Sequence, residues 1–234
     1  MEHWARVTAE LASLPSSHSW FLDSDGGREF DGRLARHQRR YLAISERTEA
    51  EALLRGLGRA PHAGSTRFGE RTVARLLEVA RLIDLTAARR AVVVGCGAFP
   101  AAALSFHDRT AAHITALEID HAAAELARRV ADRRASRRMQ IHVQDGREHD
   151  YRDADTVYVV NQVTPKAEVL SRILATASSS VRVVVRVPGG PGRLLADSVA
   201  LSPRAQWLVR GVGQPDLTFF SRHLVLARLE RRPC

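Results

Sequence analysis

The sequence predicts an α/β protein with a mostly parallel seven-stranded sheet, an antiparallel edge strand and a helical cap at the N-terminus. From residue 90 onward, short runs rich in valine and isoleucine alternate with segments of helical composition. This alternation is typical of parallel strands joined by right-handed helical crossovers. The last two apolar runs have no helix between them, which indicates that one runs antiparallel at the sheet edge. We therefore divide the chain into a helical cap, residues 1–88, and a sheet domain, residues 89–234.

The cap has the sequence patterns of helices. Residues 5–14 are a short amphipathic segment that Pro15 closes, and a loop rich in aspartate and glycine follows at residues 23–27. Residues 34–57 have helical composition and stop at a Gly-Leu-Gly turn signal. In a third predicted helix, apolar residues recur at spacings of three and four, at Val73, Leu76, Leu77, Ala80 and Ile83.

The sheet domain alternates strands and helices along the chain. Its first strand is a continuous apolar run that ends at a glycine turn, as a buried parallel strand does. The predicted strands lie at residues 91–94, 114–119, 139–143, 157–160, 181–187, 207–212 and 223–229. The predicted helices lie at residues 100–106, 121–135 and 168–175.

Composition excludes several classes of protein. With 234 residues and 45% hydrophobic residues, the chain has enough apolar material for one ordinary folded domain with a helical extension. Its longest apolar runs fall far short of the ~20 residues that a membrane span needs, and its opening has no apolar signal-peptide core. Cys96 and Cys234 are its only cysteines, so no disulfide framework is indicated. We expect a cytoplasmic protein with no membrane partner.

The positive charge raises the question of nucleic-acid binding. The formal net charge is +9, and nearly all of it falls in the sheet domain. Its densest cluster, the arginine-rich segment 133–138, lies at a predicted helix end, where cations are favoured by the helix dipole. Aromatic residues make up only 6% of the chain, which leaves little material for stacking bases. We therefore expect a small-molecule substrate and no nucleic-acid partner, and we leave the oligomeric state open, a homodimer included.

A glycine-rich loop and three polar strand ends indicate a ligand site. Gly95-Cys96-Gly97-Ala98-Phe99-Pro100 follows the first strand, at the position where open α/β sheets bind ligands. Glu118 and Ile119 end the second strand, and a carboxylate at this spacing can accept hydrogen bonds from both ribose hydroxyls. Asp145-Gly146 follows the third strand, where a carboxylate suits an adenine amino group. Asn161 ends the fourth strand. A glycine pair alone marks any tight turn, but this loop and the three polar strand ends, four strand ends in register, favour a site.

The residues of the loop indicate which nucleotide it holds. A dinucleotide site places its pyrophosphate on the free N–H groups of the following helix. Here Pro100 replaces the third glycine of that fingerprint and offers no N–H. No Gly-Lys-Ser/Thr phosphate loop is present either. An adenosine ligand without phosphates is favoured, and S-adenosylmethionine fits that description. The histidines and cysteines show no spacing typical of a metal site, so we expect no metal.

The order of these motifs resembles the class I S-adenosylmethionine-dependent methyltransferases over about residues 89–230, which implies their Rossmann-like fold. A narrower resemblance links the chain to nicotianamine synthases. Residues 95–100 look like their Gly-x-Gly-Pro-x-Pro loop, and residues 138–145 look like their Arg-Met segment and later aspartate. Residues 155–160 resemble their Asp-Val-Val-Phe strand, and residues 185–195 resemble their Arg-x-x-x-Gly-x-Arg segment. The resemblance implies use of the cofactor's 3-amino-3-carboxypropyl arm and release of methylthioadenosine (MTA).

The departures from that pattern point to a smaller relative. Asp197-Ser198 stand where an aromatic-proline pair is expected, and Asn161-Gln162 stand where small apolar residues are usual. The cap is also short for a synthase that seats a second substrate. Bacterial azetidine-2-carboxylate synthases are small members of this group that cyclise the arm onto its own α-amine. Similarity to them implies that cyclisation, with no acceptor pocket.

Ring closure places the neutral α-amine behind the γ-carbon, in line with the sulfonium. The sulfonium already activates that carbon, so positioning supplies most of the acceleration and no strong general base is required. We assign Asn161 and Tyr158 to orienting the amine and Arg186 to holding a carboxylate. For Tyr158, packing against a helix is the favoured interpretation, and for Arg186 a structural ion pair is equally favoured. Tyr41 could contact the sulfonium through its ring, although a packed surface tyrosine is favoured.

Other functions share these cofactor residues. Transfer of the aminocarboxypropyl group to an amino acid, as in nicotianamine or opine-metallophore synthesis, differs only in having an acceptor pocket. Ordinary methyl transfer to a small molecule also fits the fold. An RNA-modifying methyltransferase fits less well, because Asn161-Gln162-Val163-Thr164 lacks the Asn-Pro-Pro-aromatic sequence of adenine amino-methylating enzymes.

Overall fold

The computed structural model describes residues 25–56, 79, 83–134, 136–188, 207–212 and 221–228. In chain order its elements are α1 (Asp25–Leu54), β1 (Arg90–Val94), α2 (Ala101–Arg109), β2 (His113–Glu118), α3 (His121–Arg133), β3 (Met139–Val143), β4 (Thr156–Val159), α4 (Lys166–Thr176), β5 (Arg182–Pro188), β6 (Trp207–Val212) and β7 (Ser221–Arg228). The described strands form one seven-stranded sheet in the order β3-β2-β1-β4-β5-β7-β6. This confirms the predicted fold class.

The centre of the sheet is buried on both faces. Strands β1, β2, β3, β4 and β5 all pair in parallel, and β1 lies between β2 and β4. One face packs beneath α2 and α3, around Val93, Phe106 and Tyr158, and the other packs beneath α4, around Val157 and Ile173. Helices on both faces explain why β1, β4 and β5 have valine-rich runs rather than alternating patterns.

The last two strands complete the sheet beside β5. Strand β7 runs antiparallel to β5, with Arg186 opposite His223, and β6 pairs antiparallel with the far side of β7. A register shift between Val209 and Gly211 marks a bulge in β6. Antiparallel strands need no helical crossover between them, and the antiparallel pairing at this edge of the sheet agrees with the prediction.

Helix α1 differs from its prediction at the N-terminal end. The expected loop at residues 23–27 is wrong in part, because the helix already begins at Asp25 and includes Gly26 and Gly27. Two glycines cost about 1 kcal/mol each in a helix, which a 30-residue helix can absorb. The C-terminal end follows the glycine signal. Gly56 has φ +75° and its N–H donates to the Leu53 carbonyl, a common way to end a helix.

Helix α1 packs on α3, one of the helices that cover the sheet. Asp120 caps the N-terminus of α3, where its side chain accepts a hydrogen bond from Ala123 N, and the helix buries a stripe of mostly small residues. It ends at Arg133, slightly before the predicted residue 135. The predicted helix at residues 5–14 and most of the third cap helix lie outside the described residues. In the part of the chain that the structure describes, no helix has the length and apolar character to cross a membrane.

Candidate functional site

The candidate site is a cavity at the carboxyl ends of the central strands. It has a volume of about 550 Å³ and lies where the chain turns from the β1-β2-β3 half of the sheet to the β4-β5 half. Cavities of this size are typical of sites for one small molecule. Every residue that the sequence placed in the site lines this cavity: Gly95, Cys96, Gly97, Phe99, Glu118, Ile119, Asp145, Gly146, Tyr158, Asn161 and Arg186.

The glycine loop is held tightly against β2. The N–H groups of Gly95 and Cys96 both donate to the Leu117 carbonyl, at 2.9 and 3.0 Å. Gly95 has φ +80° and Gly97 has φ +69°, a region that only glycine adopts without strain. A Cβ on Gly95 would also lie 2.7 Å from the Val163 side chain. Both glycines are therefore required by this turn, and they keep the loop backbone close to the cavity.

Glu118 joins this loop to the end of β2. One carboxylate oxygen accepts from Gly97 N at 2.8 Å and the other accepts from Asp120 N at 3.0 Å. Each oxygen keeps a further lone pair for a ligand hydroxyl. Beside it, the Ile119 side chain is 66% exposed at the rim of the cavity, which is unusual for a large apolar residue. The two residues offer a polar contact for a sugar and an apolar surface for a flat base.

The loop after β3 forms the adjoining wall. Arg147 donates two hydrogen bonds to Asp145 Oδ2, at 2.9 and 2.6 Å, and these contacts hold the pKa of Asp145 below its usual value. Asp145 Oδ1 accepts only from the Arg147 backbone N–H among the described residues, so it keeps capacity for an amino group. A Cβ on Gly146 would lie 2.7 Å from Val94, so this loop is packed directly on β1. Tyr151 braces it by donating to the Gly146 carbonyl at 2.8 Å.

Asn161 follows β4 and lines the cavity. It is 6% exposed, and its Oδ1 has no hydrogen-bond partner among the described residues. Its backbone carbonyl accepts from Lys166 Nζ at 2.5 Å. Phe99, in contrast, is 2% exposed and belongs to the apolar core beneath the loop. Asn161 thus presents an unused acceptor to a ligand, whereas Phe99 shapes the wall.

Tyr158 and Arg186 lie on the same side of the cavity. The Tyr158 hydroxyl is 2.9 Å from His223 Nε2, and its ring packs against Phe106 of α2 at 5.7 Å between centroids. Arg186 is the register partner of His223 across the β5–β7 pair, so the two side chains share a face of the sheet. Tyr41, on α1, does not line the cavity.

Glu46 of α1 is a site residue that sequence reasoning missed. It lines the cavity and packs over the glycine loop so closely that a Cβ on Gly97 would collide with its carboxylate. Burial, together with the neighbouring charge of Glu118, raises the pKa of Glu46 from 4.5 to about 8, although a hydrogen bond from the Ala98 backbone opposes the shift. The helical pattern of residues 34–57 gave no signal for this contact, since it depends on where the helix docks.

The same acidic surroundings affect the cysteine of the loop. Burial, followed by the charges of Glu118 and Glu46, raises the pKa of the Cys96 thiol well above its usual value. The thiol is therefore neutral and poorly suited to act as a nucleophile. Among the described residues, no group of three or more histidine, cysteine, aspartate or glutamate side chains could hold a metal ion.

Solved structures with this architecture include three that cover about the whole chain. A mutant of MtNAS in complex with S-adenosylmethionine has a TM-score of 0.79 at 18% identity, over 95% of this chain and 88% of that one. MtNAS in complex with MTA and tNA has a TM-score of 0.81 at 19% identity, over 94% and 85%. The mitomycin 7-O-methyltransferase MmcR has a TM-score of 0.57 at 17% identity, over 94% and 75%. No protein-family model and no curated protein matches the chain. These likenesses show the fold of the S-adenosylmethionine-dependent methyltransferases.

Proposed function

We propose that the cavity binds S-adenosylmethionine and that the protein cyclises its aminocarboxypropyl arm to azetidine-2-carboxylate, with release of MTA. Ile119 and Asp145 suit the adenine and Glu118 suits the ribose, because an exposed apolar side chain and carboxylates at adjacent strand ends match these groups. The arm then extends toward Gly97 and Asn161. Solved structures of MtNAS, which share this fold, hold S-adenosylmethionine in one case and MTA in another, and this supports the assignment.

The observation that carries the proposal is a carboxyl group with a raised pKa at the arm end of the cavity. Methyl transfer does not involve the cofactor's α-amine, whereas ring closure requires that amine to be deprotonated. An α-amino group has a pKa of about 8, and the pKa of Glu46 is also about 8. Proton transfer between two such groups costs little free energy. Near pH 8 about half of the Glu46 side chains are ionised, and in this form Glu46, over Gly97, is placed to accept the proton of the α-ammonium group.

The bond changes balance within one substrate. The α-amine nitrogen forms a bond to the γ-carbon while the bond from that carbon to sulfur breaks, and sulfur keeps the electron pair as the thioether of MTA. The ring nitrogen retains two hydrogens, and the net reaction releases one proton by way of Glu46. Arg186 suits the substrate carboxylate, since a guanidinium binds carboxylates through paired hydrogen bonds. A cavity of about 550 Å³ has room for one small molecule, and the cyclisation needs only one substrate.

The test is to incubate the purified protein with S-adenosylmethionine alone and to identify the products by mass spectrometry. MTA together with azetidine-2-carboxylate is the expected result. MTA with only homoserine lactone, the product of attack by the arm's own carboxylate, contradicts cyclisation. An intact cofactor that yields S-adenosylhomocysteine once a small-molecule acceptor is added identifies a methyltransferase and overturns the proposal.

Variants of Glu46 test its role. Glu46→Gln keeps the shape of the side chain but cannot take a proton, and we expect kcat to fall about 100-fold, at the low end for general bases. The loss is limited because part of the amine is already neutral near pH 8. Glu125→Gln, at an exposed glutamate of α3, is the matched control and should leave kcat unchanged. Equal kcat values for the two variants would exclude Glu46 as the proton acceptor.

One observation favours a second candidate, transfer of the arm to an amino-acid acceptor. Arg39 of α1 lines the cavity together with Arg186, and S-adenosylmethionine has only one carboxylate for these two guanidinium groups. The second arginine would then bind the carboxylate of an acceptor. Under this alternative, MTA forms rapidly only when an amino acid is added, and the product gains the mass of the aminocarboxypropyl group.

A further inference from the structure

Two neighbouring side-chain amides in the cavity have unused acceptor atoms. Asn161 Oδ1 and Gln162 Oε1 are both buried from solvent, and neither has a hydrogen-bond partner among the described residues. Both residues line the same cavity, directly after β4. A buried acceptor without a donor is costly and rare in folded proteins. Two of them in one cavity, on consecutive residues, therefore indicate a ligand that supplies at least two N–H or O–H donors.

The backbone that carries these amides is fixed from behind. Lys166, at the start of α4, is fully buried, and its Nζ donates to the Asn161 carbonyl at 2.5 Å and to the Val163 carbonyl at 3.2 Å. These two carbonyls lie on either side of the Gln162 backbone. The two hydrogen bonds from Lys166 thus hold the backbone that carries Asn161 and Gln162 before a ligand arrives.

We propose that Asn161 and Gln162 together form a binding site for a primary amine, which, if the proposed function is correct, is the α-amine of S-adenosylmethionine. A neutral primary amine has two N–H bonds and one lone pair. Two amide oxygens accept both N–H bonds, and the lone pair is left to attack the γ-carbon. A single acceptor would leave the nitrogen free to rotate. Gln162 is therefore a residue that binds substrate and directs its nucleophile.

The chemistry of the two amides suits the neutral form of the amine. The neutral form is also the reactive one. The amide oxygens are neutral acceptors, so they bind an uncharged amine without favouring its protonation. Glu46 of α1 takes the proton that the amine loses.

Binding measurements with three thioethers test the proposal without turnover. S-adenosylhomocysteine has the amine and the carboxylate, S-adenosyl-3-thiopropylamine has the amine alone, and MTA has neither. By isothermal titration calorimetry, we expect Gln162→Met to weaken binding of the first two about tenfold or more and to leave MTA unchanged. Gln140→Met, at an exposed glutamine of β3 outside the cavity, is the matched control and should change none of the three affinities.

Further outcomes separate the proposal from its rivals. Gln162→Glu keeps an acceptor oxygen and should retain the preference for the two amines; loss of that preference would point to the shape of the residue and overturn the proposal. Weaker binding of S-adenosylhomocysteine alone would assign Gln162 to the carboxylate, which also overturns it. If the affinities of all three ligands fell equally, the substitution would have disturbed the fold, and the proposed amine site would be overturned. A wild-type protein that binds none of the three overturns the proposed function itself.

Discussion

At the scale of single residues, the motifs that resemble nicotianamine synthases contain positions that hold the sheet together. The Arg138 guanidinium donates to three carbonyls, those of His107, Thr110 and Ala112, at 2.7 to 3.0 Å. It thereby ties the end of α2 and the following turn to the start of β3. Asp155 Oδ2 accepts from the backbone N–H groups that open β1, at 2.7 and 2.9 Å. Such residues account for the similarity of fold. Only the residues around the cavity indicate which reaction the protein catalyses.

The arginine cluster at residues 133–138 shows what the sequence could predict about charge. The helix end was predicted correctly, since α3 ends at Arg133. Of the cluster, Arg137 is exposed, but the Arg134 side chain is 9% exposed and pairs with Asp108 at 2.8 Å. Whether an arginine at a helix end faces water or a neighbouring carboxylate depends on which element packs there. Residue type and position in a helix do not contain that information.

Glu46 gives the first prediction, on the pH dependence of stability. Its pKa is about 8 in the folded protein and near 4.5 when the chain unfolds. The folded state therefore holds this proton more tightly, and the stability linked to it is fully present below about pH 4.5 and is lost as pH rises through about 8. In Glu46→Gln this contribution is absent. We expect the free energy of unfolding of the wild type, relative to Glu46→Gln, to fall as pH rises between these values.

Urea denaturation of the ligand-free proteins at several pH values measures this difference. Glu125→Gln serves as the control, because it replaces an exposed glutamate with a single surface ion pair. Its unfolding free energy should follow that of the wild type across the range. If the Glu46→Gln curve also runs parallel to the wild type, then Glu46 is not held protonated by its burial against Glu118.

At the scale of elements, the β1–α2 turn couples α1 to the sheet through Gly97, which gives the second prediction. Gly97→Ala combines backbone strain at φ +69° with a collision against the Glu46 carboxylate. Left-handed strain alone costs about 1–2 kcal/mol in an L-residue. Because the Glu46 side chain must also move, we expect Gly97→Ala to lose stability of this order and, in addition, to weaken binding of S-adenosylhomocysteine at least tenfold.

Gly56 offers a matched control for the strain. It has φ +75°, but a Cβ there would meet only Arg133 Nη2, at an ordinary 3.7 Å. Gly56→Ala should lose about 1–2 kcal/mol of stability, measured by urea denaturation, with unchanged ligand affinity. If the two variants lose affinity equally, the effect at Gly97 is a general loss of stability, and the contact with Glu46 plays no part in binding.

The elements themselves were largely predictable because their signals are local. Short apolar runs rich in β-branched residues indicate strands from the local sequence alone. The bounds of β3 and β6 match the prediction, and the other strands shift by two residues or fewer. The start of α1 was missed for the opposite reason. Asp25 and the two glycines after it favour a turn locally, and the gain from continuing a long helix outweighs that preference only in the folded protein.

At the scale of the whole molecule, the site combines residues whose positions could be predicted from the sequence with residues whose positions could not. Glu118, Asp145 and Asn161 follow parallel strands, and the topology of the sheet places such ends along one edge. Those residues could be predicted from the order of the elements. Glu46 comes from a helix outside the strand order, and Gln162 is recognised only because its buried oxygen lacks a partner. Both facts depend on docking and packing, which the sequence pattern does not specify.

The distribution of positive charge gives the last prediction, on nucleic acid. The net charge of +9 ensures some attraction to any phosphate backbone. Several arginines are already engaged with backbone carbonyls, as Arg128 is with Ile141 and Arg172 is with His149. These guanidinium groups are less available for phosphates, and no aromatic platform is indicated for bases. We expect weak association with labelled RNA and DNA, equal for unrelated sequences, that is largely lost between about 50 and 200 mM salt.

Fluorescence anisotropy over that range measures the association, and the binding of S-adenosylhomocysteine measured in parallel supplies the contrast. A ligand held by hydrogen bonds and apolar contact inside a cavity is screened little by salt, so its affinity should change by less than about twofold. Sequence-selective RNA binding that persists at about 200 mM salt would contradict a purely electrostatic attraction. It would then place the substrate among nucleic acids, and the amine site of Asn161 and Gln162 would serve only to hold the cofactor's arm.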